Sequence, residues 1–283
     1  MDMKGDIALG TVAVAGITVI AMGRRLGRTF DRRVAGEVDD LFAGSTGAAP
    51  IVVTEETLAQ LPEPVQRWLR WSGVVAGSER PSTVRLKQEG ELRLRSGGWI
   101  PFTAEEYYTT DPPGFVWTTR IATAPLMTVA GRDAYVGGKG SIVMRLLGLF
   151  TVARDSGPAM NHGGLLRYLN ELMWFPAGAI SPYITWDAID ETSGRATMSY
   201  GGVSAPATFV FDAQGRLTTM VADRFDREDG RVNPWSTPVT TYGTFDGVHI
   251  PVAGEAVYAR ASGDFPYIRV HVTALEYNQP ERW

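Results

Sequence analysis

Three histidines, His162, His249 and His271, supply all the imidazole chemistry this chain has, and the absence of cysteine removes any thiolate partner. A serine–histidine–acid relay or a histidine-rich metal centre would have to draw on these three. Two of them sit in alternating runs. His271 shares its parity with Arg269 and Thr273 and opposes Ile268, Val270 and Val272, while His249 opposes Val248 and Ile250. Alternation of this kind places both on solvated strand faces. His162 stands at the start of an expected helix, as a cap or a surface residue. No H-E-x-x-H, G-x-S-x-G or Walker spacing occurs. Gly137–Gly138–Lys139–Gly140 lacks the spacing and hydroxyl of a phosphate loop and reads as a turn. Without cysteine, disulfides, zinc–thiolate sites and iron–sulfur clusters are excluded, and no metal, cofactor or catalytic residue is assigned.

Carboxylates offer a second kind of chemistry. Glu105–Glu106, Asp187, Asp190 and Glu191 could supply a general acid and base, although solvated strand ends and turns are their plainer role. Glu171 follows Arg167 by four residues, so the two can pair on one helix face. Facing outward they form a surface ion pair. Facing inward, Glu171 needs Arg167 or another donor to offset desolvation, and becomes a ligand-orienting or general-acid candidate. Aromatic residues are the stronger signal. Tyr107, Tyr108, Phe115, Trp117, Trp174, Phe175, Tyr183, Trp186 and Trp235 gather beside expected strand ends and one helix. Rings so placed form either ordinary core or the wall of an apolar cavity. The candidate ligand-binding set is therefore Tyr108, Trp117, Arg167, Glu171, Trp174, Tyr183 and Trp186.

The elements that must position these residues are mainly strands. In Val84–Arg95 the odd positions Arg85, Lys87, Glu89, Glu91, Arg93 and Arg95 are charged, and the even ones run Val84, Leu86, Gln88, Gly90, Leu92, Leu94. A period of two predicts a strand with one wet face, which belongs to an antiparallel sheet. Further strands are expected near 99–109, 115–121, 126–130, 133–136, 183–189, 196–200, 205–211, 217–225, 238–245, 248–258 and 267–277. Asp246–Gly247 is the strongest hairpin signal among the turns. A helix capped by Thr54 and a second over Val65–Trp71 precede the sheet. Two more are expected within it, one over Ser141–Phe150 and one over Asn161–Phe175 capped by Asn161.

Charge and hydropathy bound the rest. The 283 residues carry a net charge of −4. No basic cluster in 51–283 suits nucleic acid. Ile7–Gly23 is uncharged and is followed by Arg24 and Arg25, which meets the lower limit of ~17 residues for a membrane span. The expected organisation is a membrane anchor over 1–26, a basic juxtamembrane segment and linker over 27–50, and a helix-capped β domain over 51–283. The arginine flank puts that domain on the cytoplasmic side by the positive-inside rule.

Segments VWTTRI (116–121), RDAYVGG (132–138) and FVFDAQGRLTTMVADRFD (209–226) resemble the strand–turn pattern of the LolA/LppX-like lipoprotein carriers. That resemblance implies a curved antiparallel half-barrel, closed by helices, around a cavity for acyl chains, and an exported domain. More closely, YYTTDPPGFVW (107–117), WFP (174–176), PWSTPV (234–239) and GDFPYIR (263–269) are similar to a bacterial family of unknown function over roughly residues 52–278. The combined expectation is a mainly antiparallel β half-barrel with a few helices behind an N-terminal transmembrane helix, binding a lipid or other apolar ligand. The alternatives are a lipid-acting hydrolase and a non-catalytic scaffold that docks a protein partner.

Overall fold

The computed structural model describes residues 27–45, 51–94, 97–124 and 127–283. Residues 27–43 form helix α1. There follow β1 (Ile51–Val52), α2 (Glu55–Ala59), α3 (Glu63–Trp71), β2 (Glu79–Arg80) and a meander of long strands. These are β3 (Thr83–Leu92), β4 (Ile100–Thr110), β5 (Pro113–Ala124), β6 (Met127–Val136), β7 (Lys139–Leu146) and β8 (Phe150–Ser156). Helix α4 (Pro158–Glu171) comes next, then two short 3-10 turns. The second run comprises β9 (Ile184–Asp190), β10 (Ser193–Tyr200), β11 (Val203–Phe211), β12 (Leu217–Asp226) and β13 (Arg231–Ser236). It ends with β14 (Val239–Phe245), β15 (Val248–Arg260) and β16 (Gly263–Tyr277).

Strands β3 to β16 form one antiparallel sheet ordered β8-β7-β6-β5-β4-β3-β16-β15-β13-β12-β11-β10-β9, with β14 paired to β15. The first and last long strands, β3 and β16, meet at its centre, so the two halves of the chain make two wings. Helix α4 packs against β5 to β8 on one wing and β10 to β12 on the other. The wings must therefore curl around it. Across the two wings Arg227, in the β12–β13 turn, bridges to Asp155 of β8 at 2.8 Å. The turns at Gly138 and Gly201 also touch, since a Cβ on Gly138 would lie 2.8 Å from the Gly201 Cα. The result is an antiparallel half-barrel closed around α4.

Alternation explains what each face does. Val84, Leu86 and Gln88 are buried on the concave side of β3, while Glu89 and Glu91 are exposed. Asp246 and Gly247 take φ of 48° and 79° in the β14–β15 hairpin, the left-handed pair this turn needs. Thr54 caps α2 reciprocally with Thr57: each backbone N–H donates to the other's hydroxyl, at 3.2 and 3.0 Å. On the convex face, α1 buries Phe30, Val34, Val38, Leu41 and Phe42 against Tyr107, Val116, Ala130 and Ala134. The segment expected as a basic juxtamembrane stretch thus lays an apolar stripe on the sheet, with Arg28, Arg32 and Arg33 turned outward.

Several expectations are corrected. Ser141–Phe150 is not a helix: β7 and β8 pair across it, and Leu147 and Gly148 turn the chain with φ of 52° and 69°. An unbroken apolar run has no period to separate helix from strand, and Gly148 was the deciding signal. Helix α4 starts at Pro158, after Gly157 with φ of 108°, and the helix proper ends at Glu171. Asn161 does not cap it. Its side-chain oxygen accepts instead from the Gly140 N–H at 2.9 Å, and proline at the first turn supplies the start. The strands expected at 126–130 and 133–136 are one, β6. Strand β13 was unanticipated because it contains Pro234, which sits where β12 is its partner and β15 has not yet joined. The anchor expected over 7–23 lies outside the described residues. Among those described, no helix is long and apolar enough to cross a membrane.

Two neighbouring glycines on α4 test this packing. A Cβ on Gly164 would meet the buried Tyr135 ring at 2.8 Å, whereas one on Gly163 would meet only Arg224, at 3.9 Å. Urea unfolding should show Gly164→Ala destabilised by about 1–3 kcal/mol through overpacking. Gly163→Ala should be neutral, or more stable by up to ~1 kcal/mol from helix propensity. Equal effects at both sites would contradict the docking of α4 on Tyr135.

Candidate ligand site

The concave face carries one polar row. In the ladder, Glu106 on β4 pairs with Trp117 on β5, and Trp117 with Asp133 on β6, so the three stand side by side. Arg167 descends onto this row from α4. Its Nη2 donates to Glu106 Oε1 at 2.7 Å, Nη1 to Asp133 Oδ2 at 2.7 Å and Nε to Glu171 Oε1 at 2.6 Å. The guanidinium lies 4.7 Å from the Phe115 ring centre and 5.2 Å from that of Trp117, so aromatic faces cover what the carboxylates leave open. Glu106 is fully buried and Glu171 nearly so.

Three carboxyls around one guanidinium give the cluster an excess of negative charge if all are ionised. Burial, the largest influence, pushes the Glu106 carboxyl well above its ordinary range; Arg167 pulls it back, and Glu171 and Asp133 push it up again. Glu171 is raised for the same first reason. The Tyr108 hydroxyl stands beside both carboxyls, and burial holds it firmly protonated. For Arg167, burial works against the charge, but Glu106, Glu171 and Asp133 outweigh it and keep the guanidinium charged. The cluster can thus hold a proton among its carboxyls while Arg167 stays cationic.

Beside this cluster, between α4 and strands β3, β12, β13, β15 and β16, lies a cavity of about 370 Å³. Leu92, Met144, Met160, Met173, Trp174, Val252, Ile268 and Val270 give it an apolar wall. Gln88, Asn170, Thr237 and Arg224 add polar points. Most of these are already engaged. Trp117 Nε1 donates to Gln88 at 2.9 Å, and the Thr237 hydroxyl donates to Asn170 at 2.7 Å.

Of the candidate binding residues, Trp117, Arg167, Glu171 and Trp174 line this cavity. Tyr108 lies behind the wall in the core, its ring 5.1 Å from Phe175. Tyr183 and Trp186 do not line this cavity. The Tyr183 hydroxyl donates to Asp111 at 2.9 Å, and Trp186 packs on Phe209 while donating to the Ala179 carbonyl. Both are on or beside β9, at the end of the sheet path. Arg167 and Glu171 do pair, but inside rather than on the surface. Glu106 is a cluster member and not a solvated strand end, and Glu105, on the other face, accepts from the Tyr107 hydroxyl at 2.6 Å. His249 and His271 are exposed, as their alternation requires. Sequence reasoning missed Arg224, although it shares parity with buried Met220, Ala222 and Asp226 along β12.

This arrangement belongs to a mainly antiparallel β half-barrel with an internal cavity. The chain itself is a member of a family of unknown function (DUF6544), whose model matches residues 51–270. No curated protein matches it in sequence. Among solved structures it is similar to a LolA superfamily protein from Nitrosomonas europaea, with 8% identity and a TM-score of 0.41 over 80% of this chain and 94% of that one. It is also similar to a porin-like protein from Bacteroides uniformis, with 11% identity and a TM-score of 0.27 over 69% of this chain and 96% of the other. At such scores neither likeness bears on what the cavity holds.

The cluster makes a pH prediction. An acid held above its ordinary 4.5 in the fold stabilises the folded state below that value, and the contribution is lost as pH rises through the folded pKa. Removing Arg167 raises both glutamates further. Arg167→Met should therefore unfold more easily than wild type by about 3–5 kcal/mol near neutral pH, because two buried glutamates and the half-buried Asp133 lose their partner. Urea midpoints taken against pH should show the gap narrowing towards pH 4.5 and below. A gap independent of pH would mean that packing alone had been lost.

Proposed function

We propose that this protein binds a lipid or other apolar ligand in the cavity between α4 and the curved sheet, with residues 7–23 holding it at a membrane. The observation that carries the reading is the cavity: about 370 Å³, with a mainly apolar wall, beside a packed hydrophobic core. Its size lies at the lower end of the ~300–1,000 Å³ typical of small-molecule sites. Segments 107–117, 174–176, 234–239 and 263–269 all reach it, through Trp117, Trp174, Trp235 and Tyr267. A hydrolase would need two carboxyls free to act on a substrate, but Asp133 and Glu171 both close on Arg167. That geometry favours binding over turnover.

Gly163 offers a clean test, because it lines the cavity and a side chain there meets no backbone. The purified full chain, extracted with organic solvent and analysed by mass spectrometry, should yield an amphiphile that is depleted in Gly163→Leu. The variant keeps residues 7–23, so lipid held by that segment alone should be equal in both. An extract identical in wild type and variant would contradict a ligand in the cavity.

A further inference from the structure

We infer that the ligand is an anionic single-chain amphiphile whose carboxylate or phosphate head is held by Arg224. The inference rests on the reading that the cavity takes an apolar ligand, and it names that ligand's charge. Arg224 rises from an inward position of β12 into the cavity wall. One of its nitrogens donates to the Tyr267 hydroxyl at 3.0 Å and another reaches the Gly163 carbonyl only at 3.5 Å. Its guanidinium carbon lies 4.7 Å over the Trp235 ring.

What Arg224 lacks is an acid at ion-pair distance; Asp133 acts on it only from further off. Among the described residues no carboxylate forms an ion pair with it. The contrast with Arg167 and Arg260 is chemical; Arg93, also on the wall, gives its Nε to the Pro266 carbonyl. Arg167 holds Glu106, Asp133 and Glu171, and Arg260 holds Asp226 and Glu228. Arg167 faces three carboxyls and Arg260 two, so an arriving anion gains nothing from either. A half-buried guanidinium with no ion pair still has donors to offer, and a bidentate oxyanion is its best partner. The field at this spot has a second source. The first turn of α4 contains no acidic residue, and Ala159 and Met160 of that turn line the cavity, so the positive end of the helix faces the same space. His162, held below its ordinary value by burial and by Arg224, adds no competing charge near neutral pH. The modest volume leaves room for one chain along the apolar wall.

The test titrates the full chain, loaded with the neutral dye Nile red, with hexadecanoate, hexadecyl phosphate and methyl hexadecanoate. At least one of the two anions should displace the dye about tenfold more tightly than the ester, the difference expected of a charge-assisted hydrogen bond. Whichever anion is preferred identifies the head as a carboxylate or a phosphate. Arg224→Gln should bring that anion level with the ester. If the ester binds wild type as tightly as both anions, the inference about charge is overturned and the apolar cavity stands. If neither the dye nor any of the three competes for one site, the cavity reading falls with it. A preference that survives in Arg224→Gln would place the head elsewhere and overturn the assignment.

Discussion

A guanidinium lowered beneath a helix onto the concave face of a sheet has to find its counter-charge within the fold, and Arg167 finds three. The carboxylates come from two strands and from the helix's own next turn, all within 2.7 Å. Such a cluster does not make the fold more stable than apolar packing would, because desolvation offsets much of the attraction. What it supplies is position. Glu106 and Asp133 lie in one row two strands apart, and only one placement of α4 brings Arg167 over both. Trp117 between them and Phe115 close by form the floor on which the guanidinium rests.

That placement has a consequence for the space beside it. Tyr135 abuts α4 at Gly164, and Leu165, Leu166 and Leu169 are fully buried in the main core, so this stretch of the helix is tightly packed. Gly163 has no Cβ to fill the gap toward Arg224. The cavity is therefore a product of a helix held firmly by its cluster and its leucines, with small residues where it faces β12. Its walls differ in charge: acids outnumber the cation at Arg167, while Arg224 has no carboxylate at ion-pair distance. A ligand with one polar end and one apolar body is the molecule that such a space distinguishes from others.

Much of this was legible in the residues. The alternation in Val84–Leu92, the Asp246–Gly247 turn and the Thr54 cap all report local geometry, and local geometry is what side-chain period and turn chemistry encode. The pairing of Arg167 with Glu171 was visible as an i, i+4 spacing, and the need for a partner if they faced inward was a matter of desolvation. The row of Glu106, Trp117 and Asp133 was not. Period tells which face a residue occupies, but the row it stands in depends on the register of two successive hairpins. That Tyr183 and Trp186 stand away from this cavity was hidden for a related reason, since the route of the sheet decides which aromatic groups share a space. Arg224 carried a readable signal, a cation at the inward parity of Met220, Ala222 and Asp226.

Anomalous diffraction from crystals of the full chain, grown with an alkanoate bearing bromine at the end of its chain, tests the central claim most directly. The account predicts a single bromine position inside the cavity among Leu92, Met173, Val252 and Ile268, with the carboxylate beside Arg224. Bromine found only on the outer surface of the sheet, with the cavity unchanged, would contradict it.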